Sequence, residues 1–379
     1  MSVADKLEKP APHTLLALDG GGIRGMITLG VLSAMERMLQ DALGRDANFV
    51  LADYFDYVGG TSTGAIIATC LSLGWRVDKI RRFYEQSGAD MFDRASLLRR
   101  FHYKFEDEKL AVLLKKELGA DTILGDDQLK TLLLLVMRNA TTDSPWPVSN
   151  NPRATYNDLK RPDSNLRLPL WQLVRASTAA PTYFPPETIQ IGSRHFVFVD
   201  GGVTMYNNPA FQLFLMATVE QYKLCWTAGE REMLLVSVGT GTSPGANANL
   251  VPGEMNLVYN ATSIPSALMF AASNEQDFLC RVFGRTRFGG VLDREVGDLM
   301  TPVQVLPAER VSGPVNPRLF TYLRYNAELT RTGLDELELG SVAPEHVQQM
   351  DSVDHMTELS AVGEKVGAKV KIEHFDGFL

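Results

Sequence analysis

Cysteine is scarce in this 379-residue chain: Cys70, Cys225 and Cys280 are far apart and odd in number. No CxxC pair occurs, and no His/Cys cluster has zinc-ligand spacing. A disulfide framework and a structural zinc site are thereby excluded, and the thiols are expected to stay reduced, as in the cytoplasm. No metal and no cofactor are expected. Long hydrophobic runs are missing too. The most apolar stretch, "TLLLLVM" (Thr131 to Met137), falls far short of the roughly 20 residues of a spanning helix. The opening "MSVADKLEKPAPH" has no apolar stretch behind its charges and does not read as a signal peptide. The expected location is therefore cytoplasmic, with any membrane contact peripheral, at the inner surface. Basic residues are not in excess: 37 Lys and Arg stand against 45 Asp and Glu, a formal net charge of −8. That balance gives no electrostatic case for a nucleic-acid polymer as partner.

What is present is an alternation of apolar runs, glycine turns and helical stretches. Thr14 to Leu18 ("TLLAL") ends at Asp19 and a glycine cluster, and Met26 to Leu39 then has helical periodicity. The same order recurs at Tyr54 to Val58, Gly59 to Gly64 and Ala65 to Leu73, with Gly74 as the stop. Further strand-like runs are His195 to Val199, Met233 to Val238 and Leu319 to Arg324. Pro209 to Tyr222 and Pro344 to Lys371 read as mostly helical. This pattern predicts an α/β fold, three layers with a largely parallel central sheet covered on both faces. In such sheets ligands sit beyond the C-terminal strand ends, where three of the glycine turns are expected to converge. The chain reads as one domain, residues 1–379. Its core motifs lie in 14–242, residues 87–165 form an insertion or cap, and 243–379 are a C-terminal extension. Inside the cap, "DRASLLRRFHYKF" (Asp93 to Phe105) interleaves cations with aromatic and aliphatic residues. It fits a segment lying at a lipid interface, and equally a helix with one solvated basic face.

Three short motifs carry chemistry. "GTSTG" places Ser62 between Gly60 and Gly64, after a strand and before a small-residue helix. A serine nucleophile on a sharp strand-to-helix turn needs such small neighbours, and the helix N-terminus would favour an oxyanion there. By itself the motif fits as well a glycine turn that packs a helix on a sheet. "LDGGGIRG" (Leu18 to Gly25) also matches GxGxxG, but Asp19 would stand beside a pyrophosphate and no ribose-binding acid follows at the expected distance. No Gly-Lys-Ser/Thr follows either, which excludes a P-loop. The bare amides of Gly20, Gly21 and Gly22 suit an oxyanion hole instead, with the fixed charge of Arg24 nearby. None of the six histidines sits in a setting suited to a catalytic base; His195 begins its strand and is at the wrong end of it. Asp200, at the other end of "HFVFVDGG", is a carboxylate that partial desolvation would make basic enough to serve.

"DGGGIRG", "GTSTG" and "DGG" in this order resemble the patatin-like phospholipases, acyl hydrolases that use a Ser–Asp dyad. "RASTAAPTYFPP" (Arg175 to Pro186) and "SVGTGT" (Ser237 to Thr242) are similar to further blocks of that family. The likeness covers about Leu15 to Thr242. It implies Ser62 as nucleophile, Asp200 as base, and an oxyanion hole of Gly20, Gly21 and Gly22 supported by Arg24. It also implies a phospholipid or other acyl-ester lipid as substrate, an acyl-enzyme intermediate and no metal. Two relatives of that reading stay open: acyl transfer to an alcohol through the same dyad, and a phospholipase effector of bacterial defence switched on by a small cyclic nucleotide. Ser177, also between small residues, is a rival nucleophile whose surroundings read as helix interior.

Overall fold

β1 (His13–Leu18) is buried throughout. Its side chains alternate: Leu16 and Leu18 enter one core, Leu15 and Ala17 the other. A strand that is apolar on both faces must be covered on both. In the computed structural model, which describes residues 2–92, 109–181, 183–244, 257–293, 295–300 and 317–379, β1 lies within a nine-stranded sheet. The other strands are β2 (Tyr57–Thr61), β3 (Leu132–Asn139), β4 (Ser144–Ser149), β5 (Glu187–Ile191), β6 (Arg194–Asp200), β7 (Met233–Val238), β8 (Arg285–Phe288) and β9 (Thr321–Tyr325). Their order is β5-β6-β3-β2-β1-β7-β9-β8, with β4 paired to β3 alone. From β3 to β8 along this order every neighbouring pair is parallel, whereas β4, β5 and β6 pair antiparallel.

The helices that matter for the site are α1 (Gly25–Ala42), α2 (Thr63–Ser72), α3 (Val77–Phe92), α4 (Leu170–Ser177), α5 (Ala210–Thr218), α6 (Leu257–Phe283) and α7 (Met356–Gly367). α1 to α4 and α7 share the core of Leu16 and Leu18. α5 and the end of α6 close the opposite face, where Leu213, Phe214 and Cys280 pack with Leu15 and Tyr57. These are the three layers expected, around a sheet that is parallel at its centre.

One expectation changes, and one strand departs from the parallel majority. The insertion or cap expected over 87–165 contains two strands of the sheet itself: β3 sits inside it and β4 beside it. The prolines at 145 and 147 disguise β4; they are tolerated because β4 pairs on one side only. The strand ending at Asp200 is not parallel to its neighbours. β6 runs antiparallel to β3, and the two overlap only from Met137 to Asn139. The segment Asp93 to Phe105, singled out for a lipid interface, lies outside the described residues. Among the described residues no helix is long and apolar enough to cross a membrane.

α7 crosses α1 at unusually close range, because glycines meet there. A Cβ on Gly363 would stand 2.6 Å from the Ile27 carbonyl oxygen, and one on Gly30 would stand 2.5 Å from the Gly363 carbonyl carbon. The helices could admit side chains only by moving apart. Gly363→Val is expected to lower stability by about 1–3 kcal/mol, the usual cost of overpacking. Urea unfolding checks this, and an unchanged midpoint would contradict the close crossing.

Candidate active site

The register of β3 determines where the site forms. β4 occupies one flank of β3 from Leu134 to Asn139. β2 pairs with residues Leu132 to Val136 and β6 with Met137 to Asn139, so these two share the opposite flank, end to end. β2 comes from one direction and finishes with Thr61 opposite Val136; β6 comes from the other and finishes with Asp200 opposite Met137. The next residue after Thr61 is Ser62. Two strands running head-on thus bring together residues 138 positions apart.

Ser62 has φ 55° and ψ −122°, a left-handed conformation for a non-glycine residue. Such a conformation costs on the order of 1–3 kcal/mol and persists only where its surroundings impose it. Here α2 begins at once with Thr63, and the flanking glycines make the sharp turn fit. A Cβ on Gly60 would stand 2.1 Å from the Gly64 carbonyl oxygen, and one on Gly64 would stand 2.2 Å from the Leu18 carbonyl oxygen. Ser177, at the end of α4, holds the turn from below. Its fully buried hydroxyl accepts the Ser62 N–H at 3.0 Å and donates to the Val136 carbonyl at 2.5 Å. The hydroxyl bridges the gap in the ladder at the point where β2 leaves β3. Ser177, weighed above only as a rival nucleophile, supports Ser62 instead.

The Ser62 hydroxyl donates to Asp200 Oδ2 at 2.7 Å, and the Gly202 N–H donates to Oδ1 at 2.6 Å. Asp200 is 4% exposed. Burial pushes its carboxyl up from 3.8 to about 6, while the Ser62 hydroxyl and the Gly202 amide pull the other way. Among the described residues each oxygen therefore has one donor, and Oδ2 is the one in contact with the serine. His195 is exposed and lies at the start of β6, away from this end.

The glycine loop lies against Ser62: a Cβ on Gly20 would stand 3.3 Å from Ser62 Cβ. The three amides expected as oxyanion donors are not equivalent. The Gly20 N–H is already given to the Asn207 carbonyl at 2.9 Å. Among the described residues, the N–H groups of Gly21 and Gly22 meet no protein acceptor. The Gly20 amide is thus engaged, and the unengaged amides of the loop are the next two. Arg24 is engaged with backbone carbonyls. Its guanidinium donates to the Gly21 and Gln348 carbonyls, at 3.4 and 3.3 Å. Burial pulls it down to about 10, so it is still charged at neutral pH.

The loop is anchored by groups that no local motif announces. Asp19 forms two hydrogen bonds with Arg324, Nη1 to Oδ1 at 2.9 Å and Nη2 to Oδ2 at 2.6 Å. Arg324 also donates to the Ser237 hydroxyl at 2.7 Å. Both partners are buried. The Thr240 hydroxyl donates to the Gly20 carbonyl at 2.8 Å, and the Ile23 N–H to the Met350 carbonyl at 2.9 Å. Truncating Arg324 strands a buried carboxylate, which costs about 3–5 kcal/mol. Arg324→Met is expected to destabilise by that amount, and the double variant Asp19→Asn/Arg324→Met by clearly less than the sum of the singles. Urea unfolding of the four proteins checks it; additive losses would show that the pair is not coupled.

A serine hydroxyl on a desolvated carboxylate, with a glycine loop against it and a helix N-terminus following it, can attack an acyl carbonyl and hold the charge that develops on its oxygen. Comparison with known proteins identifies the family. The family model for patatin-like phospholipase matches residues 16–214, more than half of the chain. Patatin-T5 of Solanum tuberosum is 27% identical over 247 residues, covering 61% of this chain and 61% of that protein. Patatin-17 of Solanum cardiophyllum is 30% identical over 249 residues, with the same coverages of 61%. The chain thus spans about three-fifths of the length of these relatives. VipD from Legionella pneumophila, a crystal structure, aligns over 93% of this chain and 67% of that chain, with a TM-score of 0.39 and 15% identity. On the extent of the family match, this chain belongs to the patatin-like phospholipase family.

Proposed function

We propose that this protein is a lipid acyl hydrolase that cleaves fatty acyl esters of phospholipids, with Ser62 as nucleophile and Asp200 as general base. The observation that carries the reading is the 2.7 Å hydrogen bond from a positive-φ serine to a buried carboxylate. The family's name, patatin-like phospholipase, supports the substrate class.

Ser62 Oγ attacks the ester carbonyl carbon as its proton passes to Asp200 Oδ2. The carbonyl π pair moves onto oxygen, and the amides of Gly21 and Gly22 receive the charge. The N-terminus of α2 adds its partial positive charge. Collapse breaks the bond to the leaving alkoxide, which takes the proton from Asp200 and departs as the lysolipid alcohol. Water then attacks the acyl-enzyme with Asp200 again as base, releasing the fatty acid and restoring the Ser62 hydroxyl. Arg24 and Asp19 hold the donor loop in register, and Ser177 fixes the nucleophile's own amide.

A fluorophosphonate probe is expected to label Ser62, and Ser62→Ala to abolish both labelling and fatty acid release from phosphatidylglycerol vesicles. Retained hydrolysis in Ser62→Ala would overturn the assignment. Asp200→Asn is expected to lose at least two orders of magnitude in turnover, within the usual range for a general base. The base must be ionised to accept the proton, so the pH profile follows its titration. Activity should fall about tenfold per pH unit below about 6 and be flat just above it, since burial has raised Asp200 to about 6. An acid limb centred near 4 would mean that burial does not tune the base.

A further inference from the structure

β7 ends at Val238, and the turn that follows it lies against the glycine loop. In that turn Thr240 is 3% exposed, and its hydroxyl donates to the Gly20 carbonyl at 2.8 Å. A Cβ on Gly21 would stand 2.2 Å from Thr240 Oγ1 and 2.7 Å from Thr240 Cβ, so the threonine packs directly on the loop backbone. Its own position is fixed from both sides. The Gly239 N–H donates to the Tyr325 carbonyl at 2.8 Å, and the Gly239 carbonyl accepts from the Thr28 hydroxyl at 2.9 Å. The Gly241 N–H donates to Asn326 Oδ1 at 2.8 Å. Thr240 therefore stands on a rigid strand end and reaches one peptide of the loop.

The carbonyl that Thr240 holds belongs to the same peptide unit as the Gly21 N–H. In a planar trans peptide the two groups point in opposite directions, so fixing the oxygen fixes the direction of the amide. Gly20 and Gly21 impose little restraint of their own, because glycine admits the dihedral changes by which a peptide turns over. A turned-over peptide would aim a carbonyl oxygen where the amide now points. The hydrogen bond has a second effect: a carbonyl that accepts one polarises its own peptide, and the N–H becomes a stronger donor. The next peptide, Gly21 to Gly22, is treated alike by Arg24, whose Nε donates to the Gly21 carbonyl at 3.4 Å. Among the described residues, both loop amides that meet no protein acceptor thus have their own carbonyl engaged by a side chain. The Gly20 end of this backbone lies beside the nucleophile candidate, since a Cβ there would stand 3.3 Å from Ser62 Cβ.

We infer that Thr240 is a positioning residue for acyl transfer: its hydroxyl locks the Gly20–Gly21 peptide with the Gly21 N–H presented to the oxyanion, and strengthens that N–H as a donor. The inference rests on the reading of Ser62 as nucleophile and of the Gly21 amide as an oxyanion donor. Thr240 acts through the backbone. Its contribution is the orientation and polarity of one peptide.

Two variants of the whole chain test it. Thr240→Val keeps the branched shape and removes the hydroxyl, whereas Thr240→Ser keeps the hydroxyl. On a water-soluble nitrophenyl acyl ester, Thr240→Val is expected to lower kcat and kcat/KM together by about tenfold, the mark of an interaction made in the transition state. Thr240→Ser should restore the rate. Stranding a buried carbonyl also weakens the fold, so urea unfolding is measured alongside. A lowered midpoint with kcat unchanged in Thr240→Val would mean a purely structural hydroxyl and overturn the inference. If Thr240→Val does not fold, Thr240→Ala replaces it, and equal kcat in the Ala and Ser variants would overturn the inference. A second readout needs no hydrolysis. In the isotope-labelled chain the Gly21 amide nitrogen senses a hydrogen bond on the preceding carbonyl, so its resonance should move in Thr240→Val and return in Thr240→Ser. An unmoved resonance would overturn the lock; a moved resonance with unchanged kcat would overturn its service to the reaction. Failure of the Ser62 reading shows separately, as hydrolysis retained in Ser62→Ala, and the amide resonance still reports on Thr240.

Discussion

β3 has two flanks, and three strands compete for them. β4 takes one for most of its length, so β2 and β6 divide the other and meet end to end between Val136 and Met137. Ser62 and Asp200 are the residues at that meeting point. Their separation is therefore fixed by adjacent rungs of a ladder, not by the conformations of two loops. The seam leaves the Ser62 amide and the Val136 carbonyl without a common ladder bond, and the Ser177 hydroxyl stands in for it. A rigid ladder is what a reactive geometry needs, since small displacements at such a centre weaken it greatly.

The reactive groups and the groups that hold them come from different parts of the chain. Ser62, Asp200 and the glycine loop lie inside the region that matches the family, 16–214. Arg324, Gln348 and Met350, which brace that loop, lie beyond it. The C-terminal extension is thus built into the site from behind. α7 reinforces this: its glycine crossing with α1 seats the extension against the helix that starts at the glycine loop.

Much of this was legible in the residues, for identifiable reasons. β1, β2 and β7 are short apolar runs stopped by glycine, and that pattern is local. The elbow at Ser62 was legible because its crowding admits only glycine at positions 60 and 64. The direction of β6 was not, since a strand's own residues do not say which neighbour it pairs with. β4 was hidden by its two prolines, and β3 was misplaced because its apolar run is followed by a polar, proline-bearing stretch. The engagement of the Gly20 amide was hidden for a similar reason. The Gly20 amide is spent on Asn207, a residue with no sequence signature. Arg324 is 305 residues from Asp19, and only the fold reveals that the carboxylate beside the glycines is already neutralised.

The buried position of Asp200 also has a thermodynamic consequence for the folded chain as a whole. A carboxyl held near 6 in the folded state and near 3.8 in the unfolded state binds protons more tightly when folded. Linkage then requires stability to fall as pH rises through that interval and to level off above it. The distance from 3.8 to about 6 corresponds to about 3 kcal/mol, a large fraction of the net stability of an ordinary domain. Near neutrality the chain carries an ionised group that its own interior disfavours. The compensating rigidity lies elsewhere: in the ladder seam, in the Asp19–Arg324 pair and in the α1–α7 crossing.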